Sequence, residues 1–321
     1  MDTFVFLIQK TLVYMIPLLI VALAGMFAER SGIINLALEG EMIFGAFIGA
    51  IVAYEFTNSG LLIDQPQVLF IISMLVATIS GAVFSLLLSF SAINLKADQT
   101  IGGTALNMLA PAIVNTMALA FFNQEKISMP YNFKGYAIVN PDISNFGKIF
   151  ADKAYISTYI CIVLFILLSL WIYKTKTGMR MRACGEHPQA ADSVGINVYK
   201  MRYLGTSISG ALAGLGGYVY IATTSAGTAQ STVAGMGFLA LAIMIFGNWK
   251  PLGIALGALL FGFLKCISAV SSSVDFLKAL GLPMYFYNII PYVTVLVVLA
   301  LTAKKSGVPK AEGIPYDKGM R

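Results

Sequence analysis

The sequence predicts an all-α fold, a polytopic transmembrane helical bundle with about 9–10 membrane segments, some of them short or re-entrant. Hydrophobic residues make up 58% of the 321 residues and charged residues only 11%, and the mean hydropathy is +0.81. A soluble domain carries roughly 25% charged residues, so this chain cannot cover a water-facing surface. Its apolar runs, such as 5–28 and 68–93, are continuous rather than alternating, which favours helices over a β-barrel.

Nine apolar segments can be traced along the chain, and most intervals between them are short. Their approximate bounds are 4–28, 34–56, 68–93, 101–122, 156–173, 201–222, 234–247, 252–272 and 284–302. Because no interval is long enough to hold a core of its own, we predict a single transmembrane domain over 1–321. Gly-x-x-x-Gly motifs begin at Gly45, Gly210 and Gly253. They predict close helix packing, either within the chain or across a dimer.

The distribution of Lys and Arg predicts the orientation. These residues concentrate in the interval 174–202 and in the tail 303–321. Since basic residues mark the cytoplasmic side of membrane proteins, both stretches are predicted to be cytoplasmic, and the four segments between them agree. Counting back along the chain places 123–155, 57–67 and the N-terminus outside. The net charge of +6 is therefore a topology signal, and no nucleic-acid partner is predicted.

Two segments differ from ordinary spans. The polar, Gly-rich run 96–107 leads directly into an apolar helix that contains Pro111 and Asn115. The run Gly235-Met236-Gly237 precedes only nine apolar residues, 238–246, before a Gly-Asn-Trp-Lys-Pro turn. Nine helical residues cover about 14 Å, half of a hydrocarbon layer of about 30 Å. Interrupted segments, one in each half of a chain, are typical of a transporter's pathway. The alternative is two short helices inside the bundle.

Ionisable residues are scarce inside the segments. Glu39 and Glu41 stand at the start of the second segment, where a helix N-terminus favours carboxylates, so an interfacial cap is favoured over a proton relay. Lys265 could extend to the interface or face a polar path. Uncharged polar residues suit a neutral solute such as a sugar or nucleoside, although each could equally form a helix–helix hydrogen bond. They are Thr100, Thr104, Asn107, Asn115, Thr116, Ser207 and Ser209.

The chain lacks the motifs of an enzyme. It contains no Gly-x-x-x-x-Gly-Lys-Ser/Thr sequence, so it cannot hold ATP phosphates in a P-loop. Its only histidine is His187, and neither a metal-binding cluster nor a nucleophile with an adjacent base is visible. Its three cysteines form no disulfide framework. We expect no metal, no cofactor and no enzymatic activity.

The basic interval encodes a short helix with defined ends. Pro188 fits the first helical position, Gly195 fits the left-handed position after the end, and Asn197 can cap the following helix. An apolar face on a cytoplasmic helix predicts a docking surface for a partner protein. The alternative is a helix that lies on lipid headgroups. The residues of the predicted apolar face are Ala190, Ala191 and Val194.

Four stretches, in this order, carry a resemblance to a known family. They are 29–40 (ERSGIINLALEG), 101–107 (IGGTALN), 182–196 (RACGEHPQAADSVGI) and 235–253. With them the chain resembles the permease subunits of bacterial ABC importers, in the group that handles branched-chain amino acids, ribose and other simple sugars, and nucleosides. The first, second and fourth stretches favour the nucleoside and simple-sugar branch. His187 replaces a common Asn, and 248–250 replace a more usual Arg-Asn-rich turn.

The resemblance implies a permease subunit in the bacterial cytoplasmic (inner) membrane that forms the path for a nucleoside or simple sugar. It implies three kinds of protein partner besides membrane lipid: a second permease in a homo- or heterodimer, cytoplasmic ATP-binding subunits that hydrolyse ATP, and an extracytoplasmic substrate-binding protein or lipoprotein. The interval 174–202 would be the coupling loop. Its candidate residues are Glu186, Pro188, Ala190, Ala191, Val194, Gly195 and Ile196. The candidate path residues are Asn35, Glu39, Thr100, Thr104, Asn107, Asn115, Gly237 and Phe238.

Two other classes of function are compatible with a membrane bundle. A self-sufficient secondary transporter or channel would move a small polar solute without an ATPase. A membrane-embedded enzyme would need catalytic groups that converge at membrane depth, and their absence from the sequence disfavours it. Dependence on a separate ATP-binding subunit distinguishes the first interpretation from both.

Overall fold

The computed structural model describes residues 2–62, 64–129, 136–138, 154–271, 283–302 and 307–319. Eleven α-helices lie in these residues. They are α1 (Asp2–Arg30), α2 (Leu38–Asn58), α3 (Pro66–Ser89), α4 (Gln99–Phe122), α5 (Ile156–Lys174), α6 (Lys176–Glu186), α7 (Pro188–Ser193), α8 (Val198–Thr223), α9 (Met236–Phe246), α10 (Pro251–Val270) and α11 (Met284–Thr302). A π-helical turn, Phe90–Asn94, extends α3. Two short antiparallel pairs join β1 (Ile127–Ser128) to β4 (Thr228–Ala229) and β2 (Tyr136–Ile138) to β3 (Ala154–Tyr155).

Each of the nine predicted segments corresponds to a helix, so the prediction of an all-α polytopic bundle is confirmed. Within the described residues, α1 to α5 and α10 are long and apolar enough to cross a membrane. Helix α8 has comparable length, but its glycines and its two basic residues reduce its hydropathy. Helix α9 and the apolar part of α11 are shorter. Residue 272, the predicted end of the eighth segment, lies outside the described residues.

Helices α1 and α8 form the centre of the bundle. Helix α1 packs against α5, α8, α9 and α10, while α8 also packs against α2 and α3. Side chains from several sides of these helices are fully buried, including Phe27 on α1 and Tyr218 on α8. A helix that is apolar all round is typical of such a central position.

Glycines allow α2, α3 and α8 to approach closely. A Cβ added to Gly45 on α2 would overlap the backbone of Gly214 on α8. A Cβ added to Gly81 on α3 would overlap the carbonyl oxygen of Gly210. Without these Cβ atoms the helix backbones come into dispersion contact. The predicted Gly-x-x-x-Gly motifs of α2 and α8 therefore pack within the chain.

We expect Gly214→Ala to lower the thermal unfolding temperature of the purified chain by several degrees. The new methyl group would collide with the backbone of Ala77 and Gly81 on α3, and overpacking of this kind costs about 1–3 kcal/mol. Gly102→Ala on α4 is the matched control, since its Cβ would meet only side-chain atoms at 3.2 Å or more. Equal unfolding temperatures for the two variants would contradict the packing scheme.

The two ends of the bundle carry different loops and short elements. Tail residues 307–319 lie at the end that holds α6, α7 and the start of α4. Helix α4 then runs 24 residues to the opposite end, where β1 pairs with β4. The basic interval and the tail thus share one end, as the predicted orientation requires. Lys304 and Lys305 of the predicted tail lie outside the described residues.

Candidate functional site

The first turn of α9 meets the first turn of α2 inside the bundle. The Glu39 carboxylate accepts hydrogen bonds from the backbone N–H groups of Gly235 at 2.9 Å and Gly237 at 2.6 Å. A Cβ on Gly237 would lie 2.5 Å from the Glu39 nitrogen, so only glycine fits there. We call this place, formed by Asn35, Glu39, Asn107, Gly235 and Gly237, the half-helix junction.

Helix α9 reaches the junction from the end of the bundle that holds the tail. Just beyond its C-terminus, the carbonyl oxygen of Trp249 accepts a hydrogen bond from Arg30 at 3.0 Å, and Asn248 accepts one from the Gly307 N–H. Its 11 residues extend about 16 Å from there into the interior. The chain before α9 comes from β4 at the other end. The predicted half-length helix is therefore present, but the segment is not re-entrant, because the chain enters the bundle at one end and leaves it at the other.

Two asparagines organise the connection between α1 and α2. The Asn35 side-chain amide donates to the Glu41 carboxylate at 3.0 Å, and both residues are fully buried. The Asn107 amide donates to the Leu36 carbonyl oxygen at 2.6 Å and accepts from the Gly40 N–H at 2.7 Å. Asn107 on α4 therefore holds the backbone that leads into α2.

Four predicted path residues, Asn35, Glu39, Asn107 and Gly237, thus lie together at the junction. The prediction that Glu39 caps its own helix at the membrane interface is wrong. Its side chain is buried, and it caps α9 instead. The physical reason is that α9 begins inside the bundle. Its first N–H groups need an acceptor there, and water is not available at that depth.

Lys265 lies beside the junction. Its Nζ is 3.2 Å from the Tyr292 hydroxyl and 5.0 Å from the centre of the Tyr292 ring. The Tyr292 hydroxyl is 3.4 Å from the carbonyl oxygen of Ala234, and Lys265 also interacts electrostatically with Glu39. Of the two expectations for Lys265, this arrangement favours a polar site over extension to the interface.

The remaining predicted path residues do not join the junction. Thr100, Thr104 and Asn115 are exposed on α4, and the Thr104 hydroxyl donates to carbonyl groups of its own helix. Phe238 is exposed beside the junction on α9. Among the described residues, no group of three or more His, Cys, Asp and Glu side chains could hold a metal ion.

The predicted short helix in the basic interval is α7, and its predicted ends are confirmed. Pro188 occupies the first turn, and Gly195 follows the helix with φ +80°. The Asn197 side chain accepts a hydrogen bond from the Lys200 N–H at 2.9 Å and so caps α8. His187 adds a cap that the sequence interpretation missed, because its Nδ1 accepts from the Ala190 N–H at 3.2 Å.

The prediction of one apolar face on α7 is wrong. Ala191 points inward and is 4% exposed, whereas Ala190 and Val194 point outward, and Val194 is 74% exposed. The three residues span about 100° of the helix surface, and the border of the buried side falls between them, because Ala191 belongs to a buried cluster with Cys184 and the tail residue Tyr316. We call the outward group Glu186, Ala190, Val194 and Gly195 the docking surface. Pro188 is buried, and Ile196 is half-buried against the same cluster as Ala191.

Helix α6 was not predicted. Thr175 caps it by accepting a hydrogen bond from the Gly178 N–H at 3.2 Å. The Arg182 guanidinium lies 4.7 Å from the centre of the Tyr173 ring, and the Glu186 carboxylate forms a 3.6 Å ion pair with Arg30. Arg182 and Glu186 of the basic interval therefore bind other residues of this chain. A threonine followed three residues later by a helical run is the signal that could have revealed α6.

The tail packs on the helices that carry the docking surface. The Ala311 N–H donates to the Gly185 carbonyl oxygen at 2.9 Å. The Tyr316 ring is buried beside Tyr199 and belongs to the same apolar cluster as Ala191. The sequence indicated only the positive charge of this tail. Its docking depends on residues more than 100 positions away, which no local pattern reveals.

Further contacts tie the tail to α8 and to the start of α4. Arg202 donates to the Ile314 carbonyl oxygen at 3.0 Å, and Lys96 forms a 2.5 Å ion pair with Asp317. This ion pair raises the pKa of Lys96 and lowers the pKa of Asp317. The tail therefore contacts four separate parts of the same end of the bundle.

The tail should pack less tightly as the pH rises from 5 to 8. Burial raises the pKa of Glu312 to about 7 from 4.5, although Arg30 opposes the shift, and the Glu29 carboxylate also interacts with it. The docked tail then holds a proton that a detached tail releases. This stabilisation is complete below about pH 4.5 and is lost as the pH rises through about 7. Amide hydrogen exchange in 307–319, corrected for intrinsic rates, measures it.

Two variants test the assignment to Glu312. Glu312→Gln should remove the pH dependence of protection, because the amide does not titrate. Asp317→Asn should lower protection at every pH but keep the difference between pH 5 and pH 8, because its pKa lies below this range. A pH dependence that persists in Glu312→Gln would assign the effect to another group.

Comparison with known proteins yields one family and several full-length relatives. Residues 7–299 match the family described as the branched-chain amino acid transport system / permease component. The chain is 41% identical to the guanosine ABC transporter permease protein NupQ of Bacillus subtilis over 98% of its own length and 97% of the relative. It is 38% identical to the nucleoside ABC transporter permease protein NupC of Lactococcus lactis, over 99% and 98% of the two lengths.

A more distant relative carries a different substrate name. The chain is 28% identical to the putative glucose ABC transporter permease protein TsgC13 of Haloferax volcanii, over 80% of the chain and 75% of the relative. No solved structure matches the chain significantly.

Proposed function

Because the chain belongs to the family of branched-chain amino acid transport system permease components, we propose that it forms the translocation path for a nucleoside. It is a multi-pass permease subunit of an ABC transporter in the bacterial inner membrane. The observation that carries the substrate class is the 41% and 38% identity, over almost the whole chain, to permeases named for guanosine and nucleosides. The more distant relative named for glucose leaves simple sugars as the second candidate.

The half-helix junction supports a neutral solute. The one carboxylate closest to the start of α9 binds two backbone N–H groups, and Lys265 interacts with it electrostatically. The Glu39 carboxylate is thus occupied by contacts within the chain rather than available to a cationic solute. A nucleoside without a phosphate group is neutral and polar, and it suits this environment.

ATP hydrolysis is proposed to occur in a separate subunit that binds the docking surface. The exposed Val194 beside an open Gly195 is a feature that the fold of this chain does not explain. A partner would cover it. Two ATP-binding subunits, a second permease and an extracytoplasmic substrate-binding protein or lipoprotein complete the proposed complex, with the residues 174–202 as the coupling loop.

Uptake into proteoliposomes tests the proposal. The chain is reconstituted with its ATP-binding subunit, second permease and binding protein, and labelled guanosine, ribose and leucine are compared. We expect ATP-dependent uptake of guanosine above that of ribose and leucine. Uptake of ribose above that of guanosine would favour a simple sugar as the substrate. Uptake by the chain alone, driven by an ion gradient, would favour a secondary transporter.

A further inference from the structure

We propose that Phe238 and Tyr292 form an aromatic contact site for the base of a nucleoside in transit, with Lys265 as the polar partner of the base edge or of a ribose hydroxyl. This inference rests on the proposed nucleoside function and names the residues that would contact the substrate. The proposed site lies on the exposed side of the half-helix junction. On the other side, the Glu39 carboxylate already accepts hydrogen bonds from within the chain.

Phe238 is the exposed residue in the first turn of α9, and Ile245 is exposed further along the helix. The residues around it, Met236, Gly237, Leu239 and Ala240, are buried, but the Phe238 ring is 54% exposed. It lies in the first turn of the helix, and that turn begins inside the bundle rather than at its surface end. A large aromatic ring is therefore presented at membrane depth, beside the polar groups of the junction.

Tyr292 on α11 faces the same place. Its side chain is 45% exposed, and its hydroxyl lies 3.6 Å from the position of a Cβ on Gly235. Gly235 is the residue directly before α9, and Phe238 lies in the first turn, so Tyr292 and Phe238 are both exposed at the start of the same helix.

The charged neighbour distinguishes this surface from one that faces lipid. Lys265 lies within hydrogen-bonding distance of the Tyr292 hydroxyl and keeps further N–H donors free to bind another acceptor. An ammonium group at membrane depth normally faces protein or a water-filled path rather than acyl chains.

A nucleoside matches both parts of this surface. Aromatic side chains bind bases by stacking on their flat faces, with little dependence on the identity of the base. Ring carbonyl groups and ribose hydroxyls accept hydrogen bonds from a lysine ammonium. A simple sugar has the hydroxyl groups but no aromatic face to stack on Phe238.

The test measures guanosine uptake by the complete reconstituted transporter with single substitutions. Phe238→Leu keeps an apolar side chain but removes the stacking face, and we expect the maximal uptake rate to fall at least about fivefold. Phe238→Tyr restores the ring and should restore the rate. Phe263→Leu on α10 is the matched control, because Phe263 is 44% exposed but lines an apolar groove with Phe4 and Leu7. Thermal unfolding of each purified variant verifies its folding.

Photolabelling with 8-azidoguanosine gives a readout that does not depend on a variant. The label should map to peptides that contain 234–240 or 285–296. The proposal is overturned if the wild type takes up guanosine while Phe238→Leu matches Phe263→Leu, or if the label maps to α4 instead. Absence of guanosine uptake by the wild type would instead refute the proposed nucleoside function.

Discussion

Replacing Glu39 with alanine is expected to abolish ATP-dependent uptake. The carboxylate is the acceptor for the N–H groups of Gly235 and Gly237; Glu39 and Gly237 are buried, and Gly235 is half-buried. An unsatisfied buried donor costs about 1–3 kcal/mol, and the Gly237 N–H would carry that cost. Lys265 would also lose its nearby opposite charge. The first turn of α9 should unwind or move, and the path beside it should be lost.

Two comparisons separate this effect from a general loss of stability. Glu39→Gln retains one carbonyl oxygen as an acceptor, so it should retain part of the uptake and unfold at a temperature between those of wild type and Glu39→Ala. Glu55→Ala removes a carboxylate from the same helix, where it is exposed, and should behave as wild type. Wild-type uptake by Glu39→Ala would mean that the cap of α9 has no role in transport.

Features that depend on local sequence were predictable. The nine helical segments follow from apolar runs long enough to be recognised. The ends of α7 follow from Pro188 and Gly195, whose backbone preferences act over one or two residues. The half-length of α9 follows from counting apolar residues between two Gly-rich turns. Each of these features is encoded within about ten residues of where it appears.

Features that depend on contacts between distant residues were not predictable. Glu39 was predicted to cap its own helix, because sequence alone cannot show that α9 begins beside it, almost 200 positions later. Ala191 is buried in a cluster that includes Tyr316 of the tail, more than 100 positions away. Arg182, which charge alone assigned to the cytoplasmic surface, packs on Tyr173. In each case a polar or aromatic group contacts a partner that comes within reach only after the helices have packed.

The contacts also suggest how movement at the docking surface could reach the path. Glu186, at the end of α6, forms an ion pair with Arg30 at the end of α1. Arg30 donates to the carbonyl oxygen of Trp249, just after α9, and the other end of α9 is capped by Glu39. A displacement of α6 and α7 would therefore act on a single rigid helix of 11 residues. Rigid elements joined by polar contacts are the kind of route that carries coupling between sites.

Val194→Glu should weaken binding of the ATP-binding subunit and abolish ATP-dependent uptake without unfolding the chain. Val194 is 74% exposed, so the substitution costs the isolated permease little. Burial of a valine side chain in an interface contributes about 1.5–3 kcal/mol, and a buried unpaired carboxylate would cost more. We therefore expect the ATP-binding subunit to bind at least about tenfold more weakly, with loss of substrate-stimulated ATP hydrolysis and of uptake. Pull-down of the ATP-binding subunit and ATPase assays of the reconstituted complex measure these effects.

A pair of identical substitutions at neighbouring positions tests which side of α7 the partner covers. Ala190→Leu adds volume to the exposed side and should weaken binding of the ATP-binding subunit, while the thermal unfolding temperature of the permease stays unchanged. Ala191→Leu adds the same volume to the buried cluster with Cys184 and Tyr316, where overpacking costs about 1–3 kcal/mol, so it should lower the unfolding temperature. If both variants bound the ATP-binding subunit as wild type does, α7 would not be the coupling element. The alternative of a helix on lipid headgroups would then be favoured, because an added leucine would strengthen contact with lipid instead of blocking a protein interface.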